Sequence, residues 1–179
     1  APSSSAAALS MIASSAAVAA IRLMFLTGWR PGEVLGLRWS DLDLQRGVLT
    51  LKESKTGRSV RPIGAAANAL LSALPRSGSP FVFPGDVPGK PLGGLKLFWA
   101  AISEAAELPG VKPYDLRHTF ITHGVATQGV AIMQRVVGHK SVKTTMGYVH
   151  FADSPIQRAA DAVAGDLGAL LGSVETEVT

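Results

Sequence analysis

The residues most able to do chemistry are cations, and the first of them is Arg30. Pro31 follows it and suits the first turn of a helix, so Arg30 is predicted to lie at a helix N-terminus, where backbone N–H groups and the helix dipole favour an anion. A phosphate group could bind there. The alternative is that Arg30 only pairs with Glu33, three residues further along the chain.

Four further residues could act with Arg30: Lys55, Arg117, His139 and Tyr148. Lys55 lies at the tip of a predicted hairpin, where it could deliver a proton or a charge, although a turn lysine can equally be a solvated charge. Arg117 follows Tyr114 by three residues on a predicted helix, so both project from one face. His139 lies at a predicted helix end, as a structural cap or as a functional group. Tyr148 follows nine residues later, so the cations converge on a tyrosine.

The sequence excludes several other chemistries. It contains no cysteine, so disulfides, thiolate metal sites and cysteine nucleophiles are ruled out. Residues 85–91 superficially resemble a phosphate loop, but the spacing is wrong and a proline stands where Ser or Thr would bind magnesium. His118 and His123 are five residues apart and do not share a helical face, so no metal is assigned.

Length and charge indicate one basic globular domain. The chain has 179 residues, of which 47% are hydrophobic, and this balance excludes disorder. Residues 161–179 hold four of the 13 acidic residues and none of the 17 basic ones, so residues 1–160 carry a net charge of +8. This excess favours nucleic acid as the partner. Polar residues interrupt the apolar stretch 11–26, so no membrane anchor is expected, and the predicted location is cytoplasmic.

The elements that must position these residues are predicted to be mainly helical. An Ala-rich helix begins near residues 3–5 and ends at Thr27, and further helices are predicted over residues 32–37, 65–74, 93–107, 113–126, 130–137, 141–149 and 156–171. Strands are predicted at residues 39–43, 48–53 and 58–63, with one more short strand at 81–83. The predicted fold class is therefore mainly α with a small antiparallel β-sheet.

The order of these residues resembles the catalytic domain of the tyrosine recombinases, the phage integrase family. Residues 27–43, which read TGWRPGEVLGLRWSDLD, are very similar to the family's first box. Leu116-Arg117-His118-Thr119-Phe120 resembles the second box, and the stretch from Val137-Gly138-His139 to Tyr148-Val149-His150 resembles the third. The resemblance covers nearly all of residues 26–152.

This resemblance implies a reaction in which the Tyr148 hydroxyl attacks a DNA phosphodiester, giving a 3′-phosphotyrosyl link and a free 5′-hydroxyl. It implies no metal and no nucleotide cofactor. Arg30 and Arg117 would neutralise the nonbridging oxygens, for which the planar guanidinium is suited. His139 would stabilise the phosphate or shuttle a proton, and Lys55 would protonate the leaving oxygen.

One position departs from the family pattern. Tyr114 stands where the usual His-x-x-Arg begins with histidine, so we expect similar geometry with an altered acid–base contribution, unless Tyr114 is only an aromatic packed on the core. Glu33 is expected to orient Arg30. Three histidines are expected to be structural, namely His118, His123 and His150. Four further cations are candidates for phosphate contacts, with solvated charge as the alternative: Arg58, Arg61, Lys140 and Lys143.

The predicted organisation is a catalytic domain over residues 1–155, followed by a C-terminal helix and acidic tail over residues 156–179. The tail would dock on a neighbouring protomer or fold back on its own domain. The family's usual N-terminal DNA-clamping domain is expected to be absent. The expected partner is double-stranded DNA, bound as a homotetramer by a protein that is monomeric when free. The alternative functions are a type IB topoisomerase and a catalytically silent DNA-binding regulator.

Overall fold

Seven helices and a three-stranded sheet form the part of the chain that the computed structural model describes, which is residues 16–51, 59–139 and 141–148. The helices are α1 (Ala16–Thr27), α2 (Pro31–Leu35), α3 (Ala65–Ala73), α4 (Lys96–Ala105), α5 (Asp115–Gln128), α6 (Val130–Val137) and α7 (Val142–Met146). The strands are β1 (Leu42–Asp43), β2 (Val48–Leu51) and β3 (Ser59–Pro62), paired antiparallel in the order β1-β2-β3. The predicted fold class is confirmed.

Helix α1 is the centre of the packing. Its buried side chains are mostly small or unbranched at Cβ, including Ala17, Ala20 and Leu23, so neighbouring helices can approach closely. It packs against α2, α3 and α5. A second apolar cluster joins α5 to α6 through Ile121, Val125, Met133 and Val137. Helices α5 and α6, which carry the predicted site residues, are therefore fixed to the core on two sides.

One predicted strand is shorter than expected, and another does not form. Residues 39–43 form a 3-10 helix (Trp39–Asp41) before the short β1, because the Asp41 carboxylate accepts a hydrogen bond from the Arg38 N–H at 3.2 Å and closes a tight turn. The Trp39 N–H donates to the Pro80 carbonyl at 3.1 Å. Residues 81–83 make only an isolated bridge, between Phe81 and Arg38, because the chain crosses the core there without a continuous partner strand.

Strand β3 turns a charged side chain toward the interior. Arg61 lies opposite Leu49 of β2 in the antiparallel register. Alternation along the strand leaves Val60 59% exposed and Arg61 only 1% exposed. The sheet therefore carries a guanidinium into the protein beside α2 and α6.

Three predictions lie outside the described residues: the turn at residues 54–57, the start of the first helix near residues 3–5, and the helix over residues 156–171. Within residues 16–51, 59–139 and 141–148, none of the helices has the length and apolar character that crossing a bilayer requires.

Candidate active site

Arg117, on α5, is a cation that the fold buries almost completely. Its side chain is 1% exposed, and it donates from Nη1 to the Gly28 carbonyl and from Nη2 to His139 Nε2, the latter at 2.7 Å. Burial and the nearby charge of Arg30 lower the pKa of Arg117. Among the described residues its buried Nε–H has no acceptor. A buried donor without a partner is costly, so Arg117 is prepared for an acceptor that a ligand would supply.

The Gly28 carbonyl is available to Arg117 because Gly28 ends α1 in a left-handed conformation, with φ of +61°. A side chain at this position would also overlap the ring of Phe120, on α5. Glycine is therefore required both for the turn and for the close approach of α1 to α5. This explains why the segment before Arg30 contains glycine.

His139 follows the left-handed Gly138 at the end of α6. Because a guanidinium can only donate, Nε2 of His139 must accept from Arg117, and Nδ1 then carries the proton and donates to the buried Thr145 hydroxyl at 2.9 Å. Burial, then the charges of Arg117, Arg30 and Arg61, lower the pKa of His139 to about 4. His139 is therefore a neutral hydrogen-bonding group at pH 7 in the free protein.

We expect His139 to make the domain less stable in mild acid. Its pKa lies at about 4 in the folded protein against 6.5 for the free side chain, so the unfolded chain binds the proton first. The stabilisation is complete above about pH 6.5 and is lost as the pH falls through about 4, with a slope of at most about 1.4 kcal/mol per pH unit for one proton. Urea unfolding of the wild type and of His139→Gln between pH 7 and pH 4 measures this. Parallel stability curves for the two proteins would contradict it.

Glu33, on α2, holds two arginines at once. Its carboxylate accepts from Arg30 Nη1 at 3.1 Å and from the Arg30 backbone N–H at 3.0 Å. It also accepts two hydrogen bonds from Arg61, from Nη1 at 2.8 Å and from Nη2 at 2.9 Å. Burial alone would raise the pKa of Glu33, but the hydrogen bonds and charges of Arg61 and Arg30 outweigh it and hold the pKa at about 2. The expected pairing of Glu33 with Arg30 is present, and Arg61 is an additional partner.

Arg61 also supports the turn that carries His139. A Cβ at Gly138 would lie 2.6 Å from Arg61 Nε, so the guanidinium packs directly against this glycine. From the sequence alone, Arg61 is a candidate for direct phosphate contact. The structure corrects this interpretation, because the buried guanidinium is occupied by Glu33 and by the Ser59 hydroxyl.

Glu33→Gln should destabilise the domain by about 3 kcal/mol, because it leaves the buried charge of Arg61 without its counterion. Glu104→Gln, at an exposed position on α4, is the matched control and should change little. In the double variant Glu33→Gln/Arg61→Met the buried charge is gone, and we expect much of the loss to be recovered. Chemical unfolding measures all three. A double variant less stable than Glu33→Gln would show that the ion pair is not the source of the effect.

Tyr148 lies just after α7, with its ring packed against the cluster between α5 and α6. Its hydroxyl is 2.9 Å from Nδ1 of His118. Burial, followed by the nearby phenol of Tyr114, raises the pKa of Tyr148, while the charges of Arg117 and Arg30 act in the opposite direction. The phenol therefore keeps its proton at neutral pH and lies within the field of the two arginines.

The other predicted site residues are placed as follows. Tyr114 precedes α5 and is 42% exposed, so it is not a core aromatic, and its ring edge meets His118 with centroids 5.0 Å apart. Lys143 is exposed on α7. His118 is expected to be structural, but it contacts Tyr148. The feature of the sequence that points to His118 as a site residue is its spacing of four residues from Tyr114, which places both on one helix face. Lys55, Arg58 and Lys140 lie outside the described residues, as does His150.

The described part of the chain contains no group of three His, Asp or Glu side chains close enough together to bind a metal ion. What it does contain is an excess of positive charge. Arg30, Arg61 and Arg117 lie together with one carboxylate, that of Glu33, and with a neutral histidine. This arrangement can bind an oxyanion next to the phenol of Tyr148.

The fold and the site together define a class of protein: a mainly helical domain with a small sheet that presents a tyrosine beside clustered arginines. The sequence model of the phage integrase family matches residues 6–154. The match covers most of the chain, so the chain belongs to the phage integrase family. The resemblance noted in the sequence is confirmed.

The relatives found by sequence are tyrosine recombinases. The chain is 31% identical over 153 residues to tyrosine recombinase XerC of Xanthomonas campestris pv. campestris (strain B100), covering 80% of this chain and 47% of XerC. It is 29% identical over 150 residues to tyrosine recombinase XerD of Neisseria meningitidis serogroup B, covering 78% of this chain and 52% of XerD. The chain thus spans about half the length of these relatives.

Solved structures share the fold. The XerH site-specific recombinase bound to a palindromic difH substrate matches with a TM-score of 0.63 and 23% identity, over 83% of this chain and 45% of XerH. The catalytic domain of bacteriophage HP1 integrase matches with a TM-score of 0.58 and 24% identity, over 80% and 79% of the two chains. The predicted tyrosine recombinase catalytic-domain fold is confirmed.

Proposed function

We propose that this chain is the catalytic part of a site-specific DNA recombinase or integrase, which cleaves and rejoins DNA through a 3′-phosphotyrosyl intermediate. The observation that carries the proposal is the excess positive charge beside Tyr148. Arg30 and Arg61 pair with the carboxylate of Glu33, Arg117 lies close to them, and a phosphodiester would supply the missing negative charge. Phosphoryl transfer needs positioning and charge neutralisation more than covalent help from the protein.

In the proposed reaction the Tyr148 Oη attacks the phosphorus atom, the Oη–P bond forms, and the bond from phosphorus to the 5′-oxygen breaks. Arg30 is 41% exposed, so its guanidinium can reach a nonbridging oxygen while Glu33 holds its other side. Arg117 offers its unpaired Nε–H from the interior. Donors fixed in advance at the position of developing charge contribute most to such a reaction.

Two further groups complete the proposal. The neutral His139 holds Arg117. The negative charge of a bound phosphate would raise the pKa of the imidazole, and once protonated His139 could donate a hydrogen bond to that phosphate. Lys55 would protonate the leaving 5′-oxygen, a role that follows from the family resemblance and from its place in the turn predicted from the sequence. Neither step requires a metal or a nucleotide cofactor.

The proposed partner is double-stranded DNA. The net charge of +8 on residues 1–160 supports this, as do relatives solved with DNA, namely XerH with difH and the Tn1549 transposon integrase with circular-intermediate DNA. We further propose that residues 1–155 form the catalytic domain, that the protein is monomeric when free and tetrameric on DNA, and that residues 156–179 dock on a neighbouring protomer.

A covalent selection tests the proposed function without knowledge of the target. In a nicked duplex of randomised sequence, cleavage releases a short fragment that carries the free 5′-hydroxyl. Religation needs this fragment, so its loss makes the phosphotyrosyl adduct accumulate. The adduct can then be isolated on a denaturing gel and its DNA sequenced. We expect a DNA-linked protein, a preferred sequence, and joining of one DNA to another. Relaxation of supercoiled plasmid without a preferred sequence would instead indicate a topoisomerase, and binding without an adduct would indicate a silent regulator.

A further inference from the structure

His118 contacts the reacting atom of Tyr148. Its Nδ1 lies 2.9 Å from the Tyr148 Oη, and the two rings are tilted by 32° with centroids 5.6 Å apart. The Tyr114 ring makes an edge-type contact with the same imidazole, with centroids 5.0 Å apart, so His118 contacts both tyrosines. His118 directly follows Arg117 on α5. One helical turn therefore carries both a hydrogen-bond donor to the proposed phosphate and the residue that contacts the proposed nucleophile.

The phenol needs a proton acceptor. Only about one phenol in a thousand is ionised at pH 7 when its pKa is about 10, and burial raises the pKa of Tyr148 further. The positive charges of Arg117 and Arg30 favour the ionised form of the phenol, but a guanidinium cannot accept its proton. A base in contact with Oη therefore has a defined task in the proposed cleavage.

Other bases of the described site are already occupied. The Nε2 lone pair of His139 accepts from Arg117, and its Nδ1–H donates to Thr145. The Glu33 carboxylate is bound by two arginines and has a pKa of about 2, so it is a very weak base. His118 is exposed, so an imidazolium formed there can pass its proton to water.

We propose that His118 is the general base of the cleavage reaction, an inference that rests on the proposed function. Its neutral form carries hydrogen on Nε2, which leaves the Nδ1 lone pair directed at the Tyr148 hydroxyl. As the bond from Oη to phosphorus forms, the Oη proton moves to Nδ1, and the 5′-oxygen leaves with a proton from a separate acid. In religation the 5′-hydroxyl gives its proton back to the conjugate base of that acid and attacks phosphorus, the Oη–P bond breaks, and the imidazolium returns its proton to Oη.

The test uses the full chain, a nicked substrate from the covalent selection, and the same substrate with sulfur replacing the bridging 5′-oxygen. Sulfur leaves as a thiolate and needs no acid, so it restores variants that lack the acid and does not restore variants that lack the base. We expect His118→Ala to slow adduct formation about 100-fold on both substrates, with partial recovery in added imidazole. His123→Ala, exposed on the same helix, should match the wild type. A loss below threefold, or full recovery on the sulfur substrate, would overturn the proposal.

A measurement without DNA separates this inference from the proposed function. The chain has two tyrosines, so in a Tyr114→Phe background Tyr148 is the sole tyrosine, and its ring carbon Cζ can be followed by NMR. We expect His118→Ala to shift this signal at neutral pH, because it removes the hydrogen-bond partner of the Tyr148 hydroxyl. An unchanged signal in His118→Ala would show that the contact is absent in solution, whether or not the protein cleaves DNA. Failure of the wild type to form any adduct would overturn the proposed function instead.

Discussion

Tyr148→Phe should abolish the covalent protein–DNA adduct while leaving DNA affinity nearly unchanged. The substitution removes one oxygen atom, which is the proposed nucleophile. The ring remains packed against the cluster between α5 and α6, so the fold is preserved. The arginines that would bind the phosphate are also intact. Denaturing gels with a nicked substrate measure the adduct, and a filter-binding titration measures the affinity.

Tyr114→Phe is the matched control, because Tyr114 is the other tyrosine of the chain and also contacts His118. It should retain the adduct, with a reduced rate if its hydroxyl contributes to phosphate binding. The assignment of the nucleophile is wrong if Tyr114→Phe abolishes the adduct and Tyr148→Phe does not.

Much of the fold could be predicted because local signals agree with the tertiary structure. Helix α6 begins and ends at the predicted residues, since Gly129 and Gly138 both take positive φ and bound it on either side. The end of α1 at Thr27 was predicted from Gly28 for the same reason. The segment 39–41 is an exception: a strand was predicted there, but the Asp41 carboxylate accepts a hydrogen bond from the Arg38 N–H, three residues away, and closes a 3-10 turn.

The sequence predicts which residue types form the site, but it does not predict which of these residues pair with one another. By the usual alternation, Val60 would face the interior and Arg61 the solvent, yet the register places them the other way round. The reason is Glu33, which lies 28 residues away in sequence and binds both nitrogens of the Arg61 fork. A contact between two such distant residues leaves no periodic signal in a single sequence.

Arg117→Ala should lower the rate of cleavage by about two to three decades, the loss of about 3 to 4 kcal/mol typical of removing one fixed donor to transition-state charge. The expected loss is large because the guanidinium binds three groups at once: the Gly28 carbonyl, His139 and, through Nε, the proposed phosphate. Arg117→Lys keeps the charge but has no planar fork, so it should recover only a small part of the rate. Single-turnover cleavage of a nicked substrate measures all of these rates.

Because Arg117 is buried, a lower rate could also arise from a distorted fold, and two comparisons separate the causes. Arg30→Ala removes a half-exposed hydrogen-bond donor to the same phosphate, so its cleavage rate should fall by a similar factor while the protein stays folded. Arg135→Ala removes an exposed cation on α6 and should cleave like the wild type.

The second comparison is the His139 imidazole, whose depressed pKa depends in part on the charge of Arg117. In a folded Arg117→Ala protein this pKa should rise toward its ordinary value, which NMR titration detects. A cleavage loss below tenfold, with the His139 pKa unmoved, would mean that Arg117 is a structural residue and that the phosphate binds elsewhere.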